Sequence, residues 1–365
     1  MVERNIDIII TIDYEIYGDG SGDVVRDIIS PTNIFLNICD TYSVPATIMF
    51  EIAEYLAFRE TFENGKLTDN LSKLMYDQVQ AAYSKGHDVQ LHIHPQWLDY
   101  RYNGRWNINE SFWKLSNLPN GYGSLGDPLS ILGALALGKE ELENIIRPLN
   151  PNYECIAFRA GGFCIQPSSE IIKALKALQI KIDTSLFNMG FAQTPTYSYD
   201  FRESFSHYGP WWTTSESVCN KGRKKENILE FPILAFQRMY LHNFTFSRLS
   251  SYIKEKMKFS NQLGEEQIQS KSGLSHIFKN PFSKYSKKWD FCKMSGEEMY
   301  SYLKAVSRHQ DSNDINDISL VMIGHSKDFI DRNPLINFFK RVRNDSELSS
   351  KVNFCTFNDV LKKYQ

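Results

Sequence analysis

No stretch of this chain stays apolar for long. The longest such run, residues 131–137, falls far short of the roughly 20 residues that cross a bilayer, so no transmembrane segment is expected. The opening MVERNIDIIITIDYE lacks a basic leader, a long apolar middle and a small-residue cleavage site, and predicts no signal peptide. The six cysteines (Cys39, Cys155, Cys164, Cys219, Cys292 and Cys355) show no CxxC spacing. Scattered in a chain without an export signal, they are expected to be reduced thiols packed as small core residues in a cytoplasmic protein. Charge is not of one sign either: the formal net charge is -2. The only basic runs, at residues 221–225 and 284–288, are short, which argues against a nucleic-acid partner. No internal repeat is visible.

What remains is an ordinary globular composition, 42% hydrophobic and 23% charged over 365 residues. Aromatics reach 13%, which suits a large core and a sugar-facing surface equally. Residues 6–11 form a continuous isoleucine-rich run, the pattern of a strand buried on both faces. Further buried strands are expected at 45–50, 155–159, 180–185, 228–232, 318–324 and 352–354. Helices are predicted between them, over 32–42, 67–85, 130–148, 168–178, 295–308, 334–342 and 357–364. This strand–helix rhythm favours a parallel sheet or barrel, and about seven strands predict one barrel-like α/β domain spanning 1–365. Residues 234–290 break the rhythm and read as an insertion or excursion. Two aromatic loops, at 97–126 and 201–214, are candidates for binding.

The chemistry sits at strand ends. Residues 87–97 read HDVQLHIHPQW, where a strand delivers His92 and His94 and is closed by Pro95. On an extended chain the two imidazoles share a face, roughly 6–7 Å apart at the backbone, close enough to converge on one ion. The run ending in TIDYE puts Asp13 and Glu15 on one face by the same period. Two carboxylates there are costly to bury unless paired or bound to a cation. Arg159 precedes a Gly-Gly turn, Asp183 ends another strand, and His325 stands just past the last strongly apolar one. Singly, each has a plain structural explanation: a surface salt bridge, a turn cap, a packed histidine. Together, at the same end of their strands, they predict a shared site at a barrel mouth.

These residues also resemble a family. TIDYE, HDVQLHIHP, FRAGGF, DTS and IGHSKDF are similar, in this order, to the five motifs of the polysaccharide deacetylases, the NodB-homology group of carbohydrate esterases. The resemblance runs from about residue 6 to 329, leaving out 234–290. It implies a distorted (β/α)7 barrel with an inserted segment. Two positions depart from the common pattern: Tyr14 stands where the second of two adjacent aspartates is usual, and the histidines are spaced two apart, with Gln96 at the four-apart place. Glu15 is the natural substitute ligand, and a His-x-His-Pro form resembles branches found with bacterial surface-polysaccharide synthesis.

The resemblance implies a metal-dependent hydrolase that removes an acetyl group from an N-acetylated sugar. A divalent ion, zinc by default with cobalt, manganese or nickel as substitutes, would be held by His92, His94 and carboxylates drawn from Asp13 and Glu15. Asp13 would be general base, with Glu15 completing the metal set or exchanging roles with it. Arg159 would hold the base ionised. His325, oriented and kept protonated by Asp183, would be general acid. In a cytoplasmic setting the expected partner is a nucleotide- or lipid-linked N-acetyl sugar or a soluble saccharide. The competing readings are a catalytically inactive glycan- or partner-binding barrel, and a metal hydrolase of another amide or ester.

Overall fold

The computed structural model describes residues 5–206, 208–223, 225–239, 284–313, 315 and 317–364. Its frame is a mixed α/β arrangement around a nine-stranded, curled sheet. Seven strands run in parallel: β1 (Asn5–Tyr14), β2 (Ala46–Glu51), β3 (Asp88–Ile93), β4 (Ala157–Ala160), β5 (Ile182–Asp183), β6 (Leu229–Glu230) and β7 (Asp317–His325). Their spatial order is β6-β5-β4-β3-β2-β1-β7, with β8 (Val352–Phe354) also paired to β1. Trp211–Trp212 pairs antiparallel with β6 at one edge. The two ends of the sheet approach each other through Ile233, which bridges both Phe187 and Val321.

The isoleucines of β1 explain its central place. Ile6, Ile8, Ile9, Ile10 and Ile12 are all fully buried, as a strand covered on both faces requires. Helices α1 (Ser30–Thr41), α2 (Ile52–Glu63), α3 (Leu71–Ser84), α4 (Ile131–Ile146), α5 (Ser169–Ala177), α6 (Gly296–Ser312) and α7 (Asn333–Asn344) fill the connections. Gly86, at φ +91, supplies the left-handed residue that turns the chain out of α3 and into β3. No helix among the described residues is long and apolar enough to cross a membrane. All six cysteines are free.

Two differences from the sequence expectation have physical causes. The sequence pattern predicts no helix over 52–63, where α2 forms. Ile52, Ala53, Glu54, Tyr55, Ala57, Phe58 and Thr61 are all buried, so the helix lacks the single apolar stripe that periodicity detects. The expected excursion is also narrower in the described residues. Ala235–Met239 and Lys284–Lys288 pair as an antiparallel ribbon, while Trp289 and Phe291 return to the core fully buried and Asp290 pairs in parallel with Ile323. Residues 240–283 lie outside the described residues.

The parallel register aligns the polar strand ends in rows. Asp13 is level with His325 across β1 and β7. Glu51, His92 and Arg159 fall on one row across β2, β3 and β4. Neighbouring residues on a row of a parallel sheet project to the same side, so the topology alone gathers these groups at one mouth.

Candidate metal centre

Three donor atoms converge at the centre of that mouth. Glu15 Oε2 lies 3.1 Å from His92 Nε2 and 3.0 Å from His94 Nδ1. Ligands about 2.1 Å from a tetrahedral ion are about 3.4 Å from one another, so these separations are nearly those of an occupied site. Glu51 adds a fourth donor: in the group Glu15, Glu51, His92 and His94 all four ligand atoms lie within 4.8 Å of one another. Glu15 also belongs to a second such group, with Asp13 and His325. Nitrogen and carboxylate oxygen donors in this proportion suit zinc and its divalent neighbours. The residues fit a metal ion.

Each ligand is oriented from behind. The His92 ring points its other nitrogen, Nδ1, at the Arg159 carbonyl oxygen 2.9 Å away, which leaves Nε2 to face Glu15. Glu51, the last residue of β2, caps α2 through the N–H groups of Ala53 and Glu54 and accepts the His94 backbone N–H at 2.7 Å. Its same oxygen sits 3.0 Å from His94 Nδ1. Behind Glu15, Lys327 donates to Glu15 Oε1 at 2.7 Å and to the Ile16 carbonyl at 2.9 Å. Carboxylates and carbonyls that fix histidine ligands in this way tune metal affinity.

The charge balance of the mouth asks for a cation. Burial opposes ionisation of Glu15, yet Lys327 and His94 outweigh it and hold its carboxyl well below the usual range. Burial likewise opposes a proton on His94, but Glu15 and Glu51 together lift its pKa to about 10. Glu54, buried against both, has its carboxyl pushed well above the usual range by burial first and then by Glu51 and Glu15. A proton on His94 thus stands where a metal ion would compensate the same carboxylates.

Asp13 is held differently. Arg159, itself fully buried, pairs Nη1 with Asp13 Oδ1 and anchors its guanidinium to Thr184 through Nε to the carbonyl at 3.0 Å. Burial raises the Asp13 pKa and Arg159, with His92 and His325, more than reverses that, so the carboxylate stays ionised. His325 Nε2 stands 3.5 Å from Asp13 Oδ2. Burial lowers the His325 pKa against the pull of Asp13, Asp290 and Glu15, so its resting form is the neutral imidazole.

Asp183 occupies another place than the sequence reading expected. Its carboxylate accepts from the Ser185 hydroxyl at 2.7 Å and shares a hydrogen bond with Glu230, its register partner on β6. No contact joins it to His325 among the described residues. The two residues end strands that are far apart in the sheet order, with β1 to β4 between them. The acid that acts on His325 besides Asp13 is Asp290, which the sequence reading assigned to the excursion. Asp290 pairs with Ile323, two residues before His325, and the Asp290 Oδ2 and His325 Nδ1 atoms are both buried without a hydrogen-bond partner. An acid between two aromatics, Trp289-Asp290-Phe291, was the available signal. Glu51, at the end of an apolar strand like Asp13, was the other residue missed.

The aromatic loops divide. Trp106 packs within 4.6–5.5 Å of Phe58, Trp97, Tyr100 and Tyr102, so most of the first loop covers itself. Trp113 instead lines the mouth, a cavity of about 410 Å³ shared with Asp13, Glu15, His92, His94 and His325. In the second loop Trp211 is buried and donates to the Val218 carbonyl, and His207 lies outside the described residues.

No family profile matches the sequence, and no curated protein sequence is similar to it. Among solved structures, the chain is similar to a protein named for the polysaccharide deacetylases, from Mycobacterium smegmatis, at 12% identity and a TM-score of 0.47, covering 99% of this chain and 91% of that one. It is similar to PuuE allantoinase at 11% and 0.46, covering 98% and 90%. It is also similar to a 4-alpha-glucanotransferase from Thermococcus litoralis at 12% and 0.48, covering 100% of this chain but 41% of that one. At these values the site itself has to carry the functional reading.

Proposed function

We propose that the protein is a metal-dependent hydrolase that removes the acetyl group from an N-acetylated sugar, on a single deacetylase-type (β/α)7 barrel interrupted by an insertion near 234–290. The observation that carries the reading is the division of labour between two carboxylates two residues apart. Glu15 faces the histidines and Asp13 faces Arg159 and His325. That division favours Glu15, His92 and His94 as metal ligands, with zinc as the default ion, and Asp13 as the base. The five motifs in order support the choice of substrate class.

A divalent ion in this donor set supplies Lewis acidity to water and to an acyl oxygen. The remaining steps belong to the chain. Asp13, kept ionised by Arg159, removes the proton of the attacking water. His325, neutral at rest and 3.5 Å from Asp13, receives that proton and delivers it to the departing amine. Asp290 is the acid placed to stabilise the imidazolium so formed, the role that the resemblance gives to Asp183. Burial raises the Asp183 pKa, outweighing its hydrogen bonds with Glu230 and Ser185 and the charge of Arg159.

Elemental analysis of protein purified without chelator tests the centre. The expected result is about one metal per chain in the wild type and none in His92→Ala or His94→Ala. An acetate-release assay over acetylated sugars then tests the reaction. Bound metal without turnover on any amide or ester would turn the reading into a glycan-binding barrel. Turnover on an O-acetyl ester or cyclic imide alone would keep the site and change the substrate.

A further inference from the structure

The cations around the mouth are nearly all committed. Arg159 is paired with Asp13, Lys327 with Glu15, and Lys293 with Asp328 at 3.0 Å. Lys288 is the exception. Its ammonium lies 4.1 Å from the centre of the Phe163 ring and 4.4 Å from that of Phe187, and it has no carboxylate partner among the described residues. Phe163 is itself a wall of the mouth, and the Lys288 charge acts on Asp13 and Arg159 inside it. Burial lowers the Lys288 pKa to about 8, with Asp290 too weak a counterweight. Aromatic faces return less to such a cation than a withdrawn charge loses in hydration.

A second unsatisfied donor stands on the same wall. The Trp113 indole N–H is buried with no hydrogen-bond partner. It rests against Gly162, where an added Cβ would come within 2.9 Å of the indole nitrogen and φ is +56. The loop Gly161–Phe163 therefore meets an unpaired N–H at Gly162 and, at the Phe163 ring, an ammonium without a carboxylate partner. A buried N–H without a partner is rare in a folded chain, and at this mouth it stands with a half-buried ammonium that has no carboxylate partner among the described residues, a pairing that points to an anionic ligand.

We infer that the substrate is anionic: Lys288 and the Trp113 N–H receive oxygens of a carboxylate or phosphate group carried by the acetylated sugar. The inference rests on the proposed deacetylase reading for the words acetylated sugar, but the anion site stands on its own residues. The shared chemistry has two sources, the carboxylate of an acidic sugar and the phosphate of a sugar 1-phosphate or its nucleotide or lipid conjugates.

The test is competitive labelling of lysines with acetic anhydride on the metal-loaded full chain, read by mass spectrometry at Lys288. The probes are N-acetylglucosamine, N-acetylglucosamine 1-phosphate and an N-acetylated uronic acid. Protection of Lys288 by an anionic probe at concentrations where the neutral sugar gives none supports the inference. Protection by the phosphate probe alone identifies a phosphorylated substrate, and by the uronic acid alone an acidic sugar. Lys288→Met should weaken binding of the protecting probe by about 10- to 100-fold, with Lys288→Arg close to wild type. Equal protection by all three probes, or by none, overturns the anion site. Selective protection of Lys288 without acetate release from any probe would overturn the deacetylase reading and leave the anion site intact.

Discussion

The two ends of the parallel strands make opposite use of buried charge. At the C-terminal end, Asp13, Glu15 and Glu51 converge on histidines from neighbouring strands, and each is met by a cation or an imidazole. At the N-terminal end lies a larger cavity, about 550 Å³, lined by residues such as His87, Asp88, Tyr153, Lys181 and Asn358. There the buried Asp88 carboxylate takes its hydrogen bonds from amide donors, those of Val89, Gln90 and Asn358. Size therefore does not mark the site. Convergence does: four ligand atoms within 4.8 Å of one another at one end, against a buried carboxylate held by amide donors at the other. Parallel-barrel geometry gives the same division, chemistry at one end and stability at the other.

The sharpest way to break this comparison is to separate the two carboxylates of the mouth. Asp13→Asn should lower turnover by about 10²- to 10⁴-fold with metal content near one per chain, because a base is lost and the ligands are not. Glu15→Gln should lose the metal and turnover together. Elemental analysis beside acetate release reads both. Since Asp13→Asn leaves the Arg159 charge buried without its partner, its thermal unfolding is the control that separates lost chemistry from lost fold. Metal loss in Asp13→Asn with retention in Glu15→Gln would exchange the two roles.

A smaller effect is expected one step behind the ligands. Lys327 holds Glu15 Oε1 while Glu15 Oε2 faces the histidines, so Lys327→Met frees the carboxylate to rotate. Metal affinity should fall about 10- to 100-fold, measured by competition with a chelator of known affinity. Unchanged affinity would mean that the backbone of β1 alone positions Glu15.

Much of the mouth was legible because its residues carry a period. Asp13 with Glu15, and His92 with His94, are two apart on extended chain, and the isoleucine run and Pro95 mark where each strand ends. What a single strand cannot show is which strand becomes its neighbour. Glu51 falls one residue past the strand expected at 45–50, and only the β2–β3 register sets it level with His92. Asp290 follows a stretch without periodicity, and its place depends on a one-residue bridge to Ile323. Asp183 and His325 were joined by motif resemblance, but their side chains take different partners, Ser185 and Glu230 for Asp183 and Asp13 for His325. In the aromatic loops the sequence supplied rings without orientation, so Trp106, enclosed by its neighbours, and Trp113, on the mouth, read alike.

The mildest change tests the quiet end. Burial raises the Asp88 pKa from 3.8 to about 7, against the donors from Gln90, Val89 and Asn358. The unfolded chain releases this proton near 3.8, whereas the folded chain keeps it until about 7. Between those values the folded state binds the extra proton, so stability contributed by this group is present at low pH and falls as pH rises through the window. Asp88→Asn removes the titration while keeping an oxygen to accept the same three donors. Urea denaturation at pH 8 should then show a variant more stable than wild type, by up to about 4 kcal/mol, and the difference should vanish near pH 4. Metal content and turnover should not move. A fall in turnover with the stability gain intact would mean that the larger cavity, too, takes part in function, and the contrast between the two ends would have to be redrawn.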